Sequence, residues 1–127
     1  MEFRYARHTD SISKLIPFYV DILGLEILGE FKNHNQYNGI FFGKSHFHWH
    51  LEFTESDSLA NHSFDEDDLL VFYPNSQSEY DRIMTQIEIH QIRKYRPKNP
   101  YWIENGTLIK DPDGFGIIIS PLRIQLK

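Results

Sequence analysis

Residues 46–53 read His46-Phe47-His48-Trp49-His50-Leu51-Glu52-Phe53. In an extended strand successive side chains point to opposite faces. Phe47, Trp49, Leu51 and Phe53 then share one face, and His46, His48, His50 and Glu52 the other. An apolar stripe backed by three imidazoles and a carboxylate has two chemical uses. Imidazole and carboxylate are the donor types of zinc and non-haem iron sites. A His–Glu pair is also a candidate for proton transfer. Alternate residues on one strand lie roughly 6.5–7 Å apart, whereas a zinc ion draws its ligand atoms to about 2.0–2.2 Å. Two long side chains converge from such positions, three rarely. A metal here therefore needs help from another element, such as His8 or Asp68. Without a metal, the row is a polar lining for a binding cleft.

Such a row works only if the rest of the chain holds it. The chain has 127 residues, the size of one domain, and its aromatic content of 15% suits a well-filled core or an aromatic-lined pocket. It contains no cysteine, so disulfides, thiolate metal sites and cysteine nucleophiles are excluded. A disulfide-free chain fits a reducing cytoplasm, the expected location. The net charge of −5 argues against a nucleic-acid partner. The single basic run, Arg93-Lys94-Tyr95-Arg96-Pro97-Lys98, reads as a solvated edge or loop. Met1-Glu2-Phe3-Arg4-Tyr5 has no apolar run and no stretch is long enough to span a bilayer, so neither a signal peptide nor a membrane partner is expected.

Along the chain, residues 3–8 read as a strand, followed by the capping types Thr9, Asp10 and Ser11. Ile12, Leu15, Ile16, Tyr19, Val20 and Leu23 form one helical face. Pro17 predicts a kink inside that helix, and Gly24 a left-handed C-cap. Leu25–Phe31, Gly39–Phe42 and 46–53 read as three strands. Residues 55–68 form an acidic, polar connector that reads as a solvated linker. Leu69–Tyr73 is a strand, and Ser76-Gln77-Ser78-Glu79 is a capping box. Tyr80, Ile83, Met84 and Ile87 give a second helical face. Strands are expected over 91–95, within 102–110 and over 115–120. Asp111-Pro112-Asp113-Gly114 marks the last turn. The reading is an α+β domain over 1–127, with a βαβββ module at 1–54, a connector at 55–68 and a second βαβββ module at 69–122. Pairing the modules gives a curved mixed-sheet cup with helices on its outer face and a concave binding face.

Two segments make the chain resemble the vicinal oxygen chelate superfamily, which contains glyoxalase, bleomycin-resistance proteins and extradiol dioxygenases. One is Phe18-Tyr19-Val20-Asp21-Ile22-Leu23-Gly24-Leu25, at the end of the first helix. The other runs from Gly106 through Leu108-Ile109-Lys110-Asp111-Pro112-Asp113-Gly114-Phe115. The paired βαβββ order matches as well, over nearly the whole chain. The resemblance implies four metal-ligand positions, which fall at Arg4, Glu52, Asp68 (or close to it) and Ile118. Arginine stays protonated and isoleucine has no donor atom, so the usual metal site is dismantled and no cofactor is implied.

The face of the first strand that bears Arg4, Ala6 and His8 would line the cleft. Arg4 could meet Glu52 there, either as a charged clamp for a ligand's carboxylate, phosphate or amide, or as a structural ion pair. The resemblance thus implies a small-molecule-binding protein of the bleomycin-resistance kind, with Arg4, His8, His48, His50, Glu52 and Asp68 as ligand contacts. The alternative is a metal-dependent lyase, isomerase or dioxygenase with a site rearranged among His8, His48, His50, Glu52 and Asp68. The family often dimerises, which makes a homodimer the expected assembly. Tyr101 and Trp102, before the seventh strand, would stack on a ligand or serve packing.

Overall fold

Pro17 decides the shape of the first helix. A proline has no N–H to complete the α-helical ladder. In the computed structural model, which describes residues 1–125, the α-helix α1 covers only Ile12–Ile16, and the chain continues as a π-helical segment over Pro17–Ile22. The Leu23 N–H donates to the Phe18 carbonyl, five residues back, at 3.1 Å. Gly24 then ends the segment with φ +79°, a left-handed conformation that suits glycine, and its N–H donates to the Val20 carbonyl. The expected kink is thus a change of helical register. The start of α1 also differs in detail. Ser11 occupies the N-cap but its side chain does not cap. The Ile12 N–H is taken by Glu55 Oε2 from a distant strand, at 2.9 Å.

The chain divides into two compact units, Met1–His62 and the remainder from Ser63. The first contains β1 (Phe3–His8), α1, the π-helical segment, β2 (Glu26–His34), β3 (Tyr37–Gly43) and β4 (Trp49–Glu55). Its sheet has the order β1-β4-β3-β2, with β1 parallel to β4 and the other pairs antiparallel. Asn35 and Gln36 both have positive φ, so the β2–β3 hairpin turns through the mirror-type turn that matches strand twist. One sheet face is packed. Tyr19 is fully buried, its ring 5.5 Å from Phe42 and 5.0 Å from Phe53, with Leu15 and Ile40 beside them also buried.

Strand β4 begins three residues later than the periodicity predicts. The Phe47 N–H donates to the Lys44 carbonyl and closes a turn, which takes His46, Phe47 and His48 out of the strand. Phe47 nevertheless stacks on Trp49, with ring centroids 5.0 Å apart. The connector is not a free linker in its first half. His62 Nε2 donates to the His8 carbonyl at 2.7 Å, and the Ala60 N–H to Asp10 Oδ1 at 2.6 Å.

The second unit contains β5 (Leu69–Phe72), α2 (Gln77–Ile89), α3 (Pro100–Asn105), β6 (Thr107–Lys110) and β7 (Gly116–Ile119). Its sheet order is β5-β7-β6, with β5 parallel and β6 antiparallel to β7. Ser76 Oγ accepts from the Glu79 N–H, as the capping box requires. Asp111 Oδ1 accepts from the Asp113 and Phe115 N–H groups, and Gly114 takes φ +88°, so the closing turn forms where it is expected. The strand expected within 102–110 forms as β6, and the one expected over 91–95 is corrected. Residues 91–95 contribute a single bridge, Tyr95 to Leu108, because Pro97 supplies no donor to extend it. Tyr101 and Trp102 lie in a helix, started by Asn99 Oδ1 accepting from the Tyr101 N–H with Pro100 at the first turn. Both units mix helices with mixed sheets, and the fold class is α+β.

Candidate functional site

Registered partners in neighbouring strands point to the same side of a sheet. Arg4 pairs with His50, Ala6 with Glu52 and His8 with Thr54 across β1 and β4, and Phe41 of β3 pairs with Glu52. The face opposite Tyr19 therefore carries Arg4, His8, Phe41, His50 and Glu52 together. Arg4 is its centre. Its Nε–H donates to His50 Nε2 at 2.9 Å, and Nη1–H to Glu52 Oε1 at 3.5 Å. Its guanidinium carbon lies 5.2 Å from the centroid of Phe41. Phe41 in turn meets His50 edge-on at 5.7 Å.

This arrangement selects a His50 tautomer. A guanidinium has only donors, so His50 Nε2 accepts and its proton sits on Nδ1. The Arg4 side chain is 52% exposed while that of Glu52 is 13% exposed. Two of the five guanidinium N–H groups are used, which leaves three on a half-exposed side chain. The site thus offers a cation with open donors, a sheltered carboxylate and an aromatic base.

His8 lies on the same face but is engaged otherwise. Its Nε2 is 3.1 Å from the Ser58 carbonyl oxygen, which only accepts, so Nε2 donates. Nδ1 then accepts from the Thr54 hydroxyl at 2.8 Å. His48 is exposed in the turn before β4. Asp68 belongs to the second unit, where Oδ2 accepts from the Asp65 N–H.

Three residues escaped the sequence reading. Phe41 needs the β3 register before it can be placed under Arg4. Glu55 looks like one acid of the connector, yet it ends β4 and caps α1. Arg7 is buried on the packed face, its guanidinium 4.8 Å over Phe53. Strict alternation from Arg4 gives a signal for Arg7, since a residue one step from an open face points into the core.

The superfamily's metal can be tested against these residues. At the first implied position Arg4 is a donor only, and it holds the Glu52 carboxylate of the second. In the other unit Ile118 is fully buried and carries no donor atom. Leu69, not Asp68, is the β5 residue in register with Gly116, two residues before Ile118 on the same face. Among the described residues no group of three or more His, Asp or Glu side chains is placed to hold a metal ion. The residues present do not fit the superfamily's metal.

Comparison with known proteins adds to this picture. The model of the YycE-like N-terminal domain matches residues 3–54, and that of the YycE-like C-terminal domain matches residues 67–120. Protein YycE of Bacillus subtilis (strain 168) is 36% identical over 118 residues, covering 92% of this chain and 85% of its own. The crystal structure of a YycE protein from Bacillus subtilis superposes with a TM-score of 0.83 at 35% identity, over 99% of this chain and 91% of that one. Glyoxalase I of Leishmania major gives a TM-score of 0.70 at 16% identity, over 92% and 83%. A variant of the fosfomycin resistance protein FosX from Listeria monocytogenes, complexed with Mn(II) and 1S,2S-dihydroxypropylphosphonic acid, gives 0.66 at 15% identity, over 97% and 91%. The last two likenesses concern the fold. No helix among the described residues is long and apolar enough to cross a membrane.

Proposed function

The chain belongs to the YycE-like family, within the vicinal oxygen chelate superfamily, and on that premise we propose that it binds a small molecule through Arg4, without the metal centre of the superfamily's enzymes. The observation that carries the proposal is the Arg4 guanidinium. Its Nε and Nη1 are anchored to His50 and Glu52 while the side chain stays half exposed. An arginine held in this way is oriented before a ligand arrives, and its remaining donors suit a carboxylate, a phosphate or an amide carbonyl. Phe41 supplies an apolar base, and Glu52 accepts from a ligand N–H or O–H. His8 extends the polar lining along β1, and the same reading assigns His48 and Asp68 to ligand contact. Phosphonate binding in the FosX structure is a chemical precedent on the same fold. The protein in this reading is a cytoplasmic homodimer with neither nucleic-acid nor membrane partners, and light scattering tests the dimer.

The test is a thermal-shift screen of small carboxylates, phosphonates and amides, run on wild type and Arg4→Met, each in EDTA and in Mn(II). Stabilisation of wild type in EDTA that Arg4→Met loses is the expected result. Stabilisation that needs Mn(II) favours a metal-dependent lyase, isomerase or dioxygenase and overturns the proposal, as does the absence of any stabilisation.

A further inference from the structure

The second unit contains a groove of about 230 Å³ lined by residues of that unit alone, Asp68 among them. Its lining is divided by charge. Asp65, Glu66 and Asp68 come from the turn before β5, whereas Arg96, Lys98 and Lys110 come from β6 and the segment beside it. The register explains the division. Leu69, Gly116 and Lys110 form one row across β5, β7 and β6, and Tyr95 bridges to Leu108 beyond. Strands lie ~4.8 Å apart, so the start of β5 and Lys110 are separated by about 10 Å, with Gly116 between them. A Cβ at Gly116 would meet Leu69 Cδ2 at 2.7 Å and the Asp68 carbonyl oxygen at 3.3 Å. Glycine at 116 thus gives the Leu69 side chain room to lie over β7.

The two walls do not neutralise each other. Among the described residues no ion pair joins an acid of one wall to a cation of the other. Lys110 instead sits 4.4 Å over the Tyr95 ring. Phe64, held edge-on against Phe115, gives the groove a second aromatic wall. Opposed charges on one short groove, kept apart by the width of β7, are complementary to a molecule with the reverse pattern. The volume lies below the usual range for drug-sized ligands.

We propose that this groove binds a small zwitterion, a molecule whose ammonium and carboxylate are separated by a short uncharged linker. The carboxylates of Asp65, Glu66 and Asp68 receive the ammonium. Arg96, Lys98 and Lys110 receive the carboxylate, Arg96 with a fork suited to two oxygens. Tyr95 and Leu108 contact the linker.

Titration of the ¹⁵N-labelled whole protein with β-alanine, 4-aminobutyrate, 6-aminohexanoate and glycylglycine tests this, with N-acetylglycylglycine and glycylglycine amide as singly charged controls. At least one zwitterion should shift the Gly114 and Gly116 amide signals saturably at concentrations up to about 10 mM. Both controls should bind about tenfold more weakly or worse. Glu66→Gln and Lys110→Met should each weaken the zwitterion by a similar factor while the remaining spectrum keeps its dispersion. The proposal is overturned if no zwitterion shifts these signals, if the controls bind as well, or if the two variants leave affinity unchanged.

Discussion

Arg4 and Glu52 can be a ligand clamp or a structural ion pair, and a double-mutant cycle separates the two. The perturbations are Arg4→Met, which keeps the stem over Phe41, and Glu52→Gln, singly and together. The pair is long, 3.5 Å between Nη1 and Oε1, and the arginine side chain is 52% exposed. Solvent screens a contact of that kind, and such pairs couple by about 0.2–1 kcal/mol. The Nε–H bond to His50 is shorter, at 2.9 Å. Its charged donor places it at about 1.5 kcal/mol, the lower end for charge-assisted bonds, because the arginine is half in water. Arg4→Met should therefore cost about 1–2 kcal/mol, or roughly 4–7 °C in Tm for a chain of this size. The Arg4–Glu52 coupling should stay below about 1 kcal/mol. Urea unfolding of the four proteins, with linear extrapolation to water, measures both quantities. A buried structural pair behaves differently, since breaking it costs about 3–5 kcal/mol. A coupling of that size would refute the clamp and assign Arg4 to the fold.

Three further outcomes follow from the packing. Glu55→Gln removes the charge that caps α1 from β4, so it should cost about 1 kcal/mol in urea unfolding, and an unchanged midpoint would contradict the capping role. Tyr19→Ala empties the centre of the packed face between Phe42 and Phe53 and should destabilise by about 3–5 kcal/mol, seen as a large loss in Tm. His62→Ala removes the bond to the His8 carbonyl, so hydrogen exchange over 56–62 should quicken, most visibly at the Ala60 amide, while β2 and β3 keep their protection.

How far the sequence was legible depends on the range of the signal. Short-range chemistry reads well. The Ser76 capping box, the Asp111–Gly114 turn, the Gly24 C-cap and the Pro17 disturbance each depend on residues a few positions apart, and each forms. Signals that depend on a distant partner read poorly. Nothing local tells that Glu55, and not Ser11, supplies the cap of α1. Periodicity alone also overran its element at His46–His48, where the Lys44–Phe47 turn prevails. In the second unit the strand expected over 91–95 reduces to one bridge, Tyr95 to Leu108. Pro97 supplies no donor to extend it, while the strand expected within 102–110 forms at Thr107–Lys110. The candidate site was half legible. Arg4 and Glu52 follow from counting along matched motifs, but the His50 acceptor and the Phe41 base require the register of three strands.

The most direct test of the account is a crystal structure with a carboxylate or phosphonate found by the thermal-shift screen, grown with Mn(II) present. The account predicts the ligand over Phe41 with an oxygen about 3 Å from Arg4 Nη1 or Nη2, the Arg4–His50 bond intact and no metal at Glu52. A metal ion coordinated by Glu52 or His50, with Arg4 swung away from both, would contradict it.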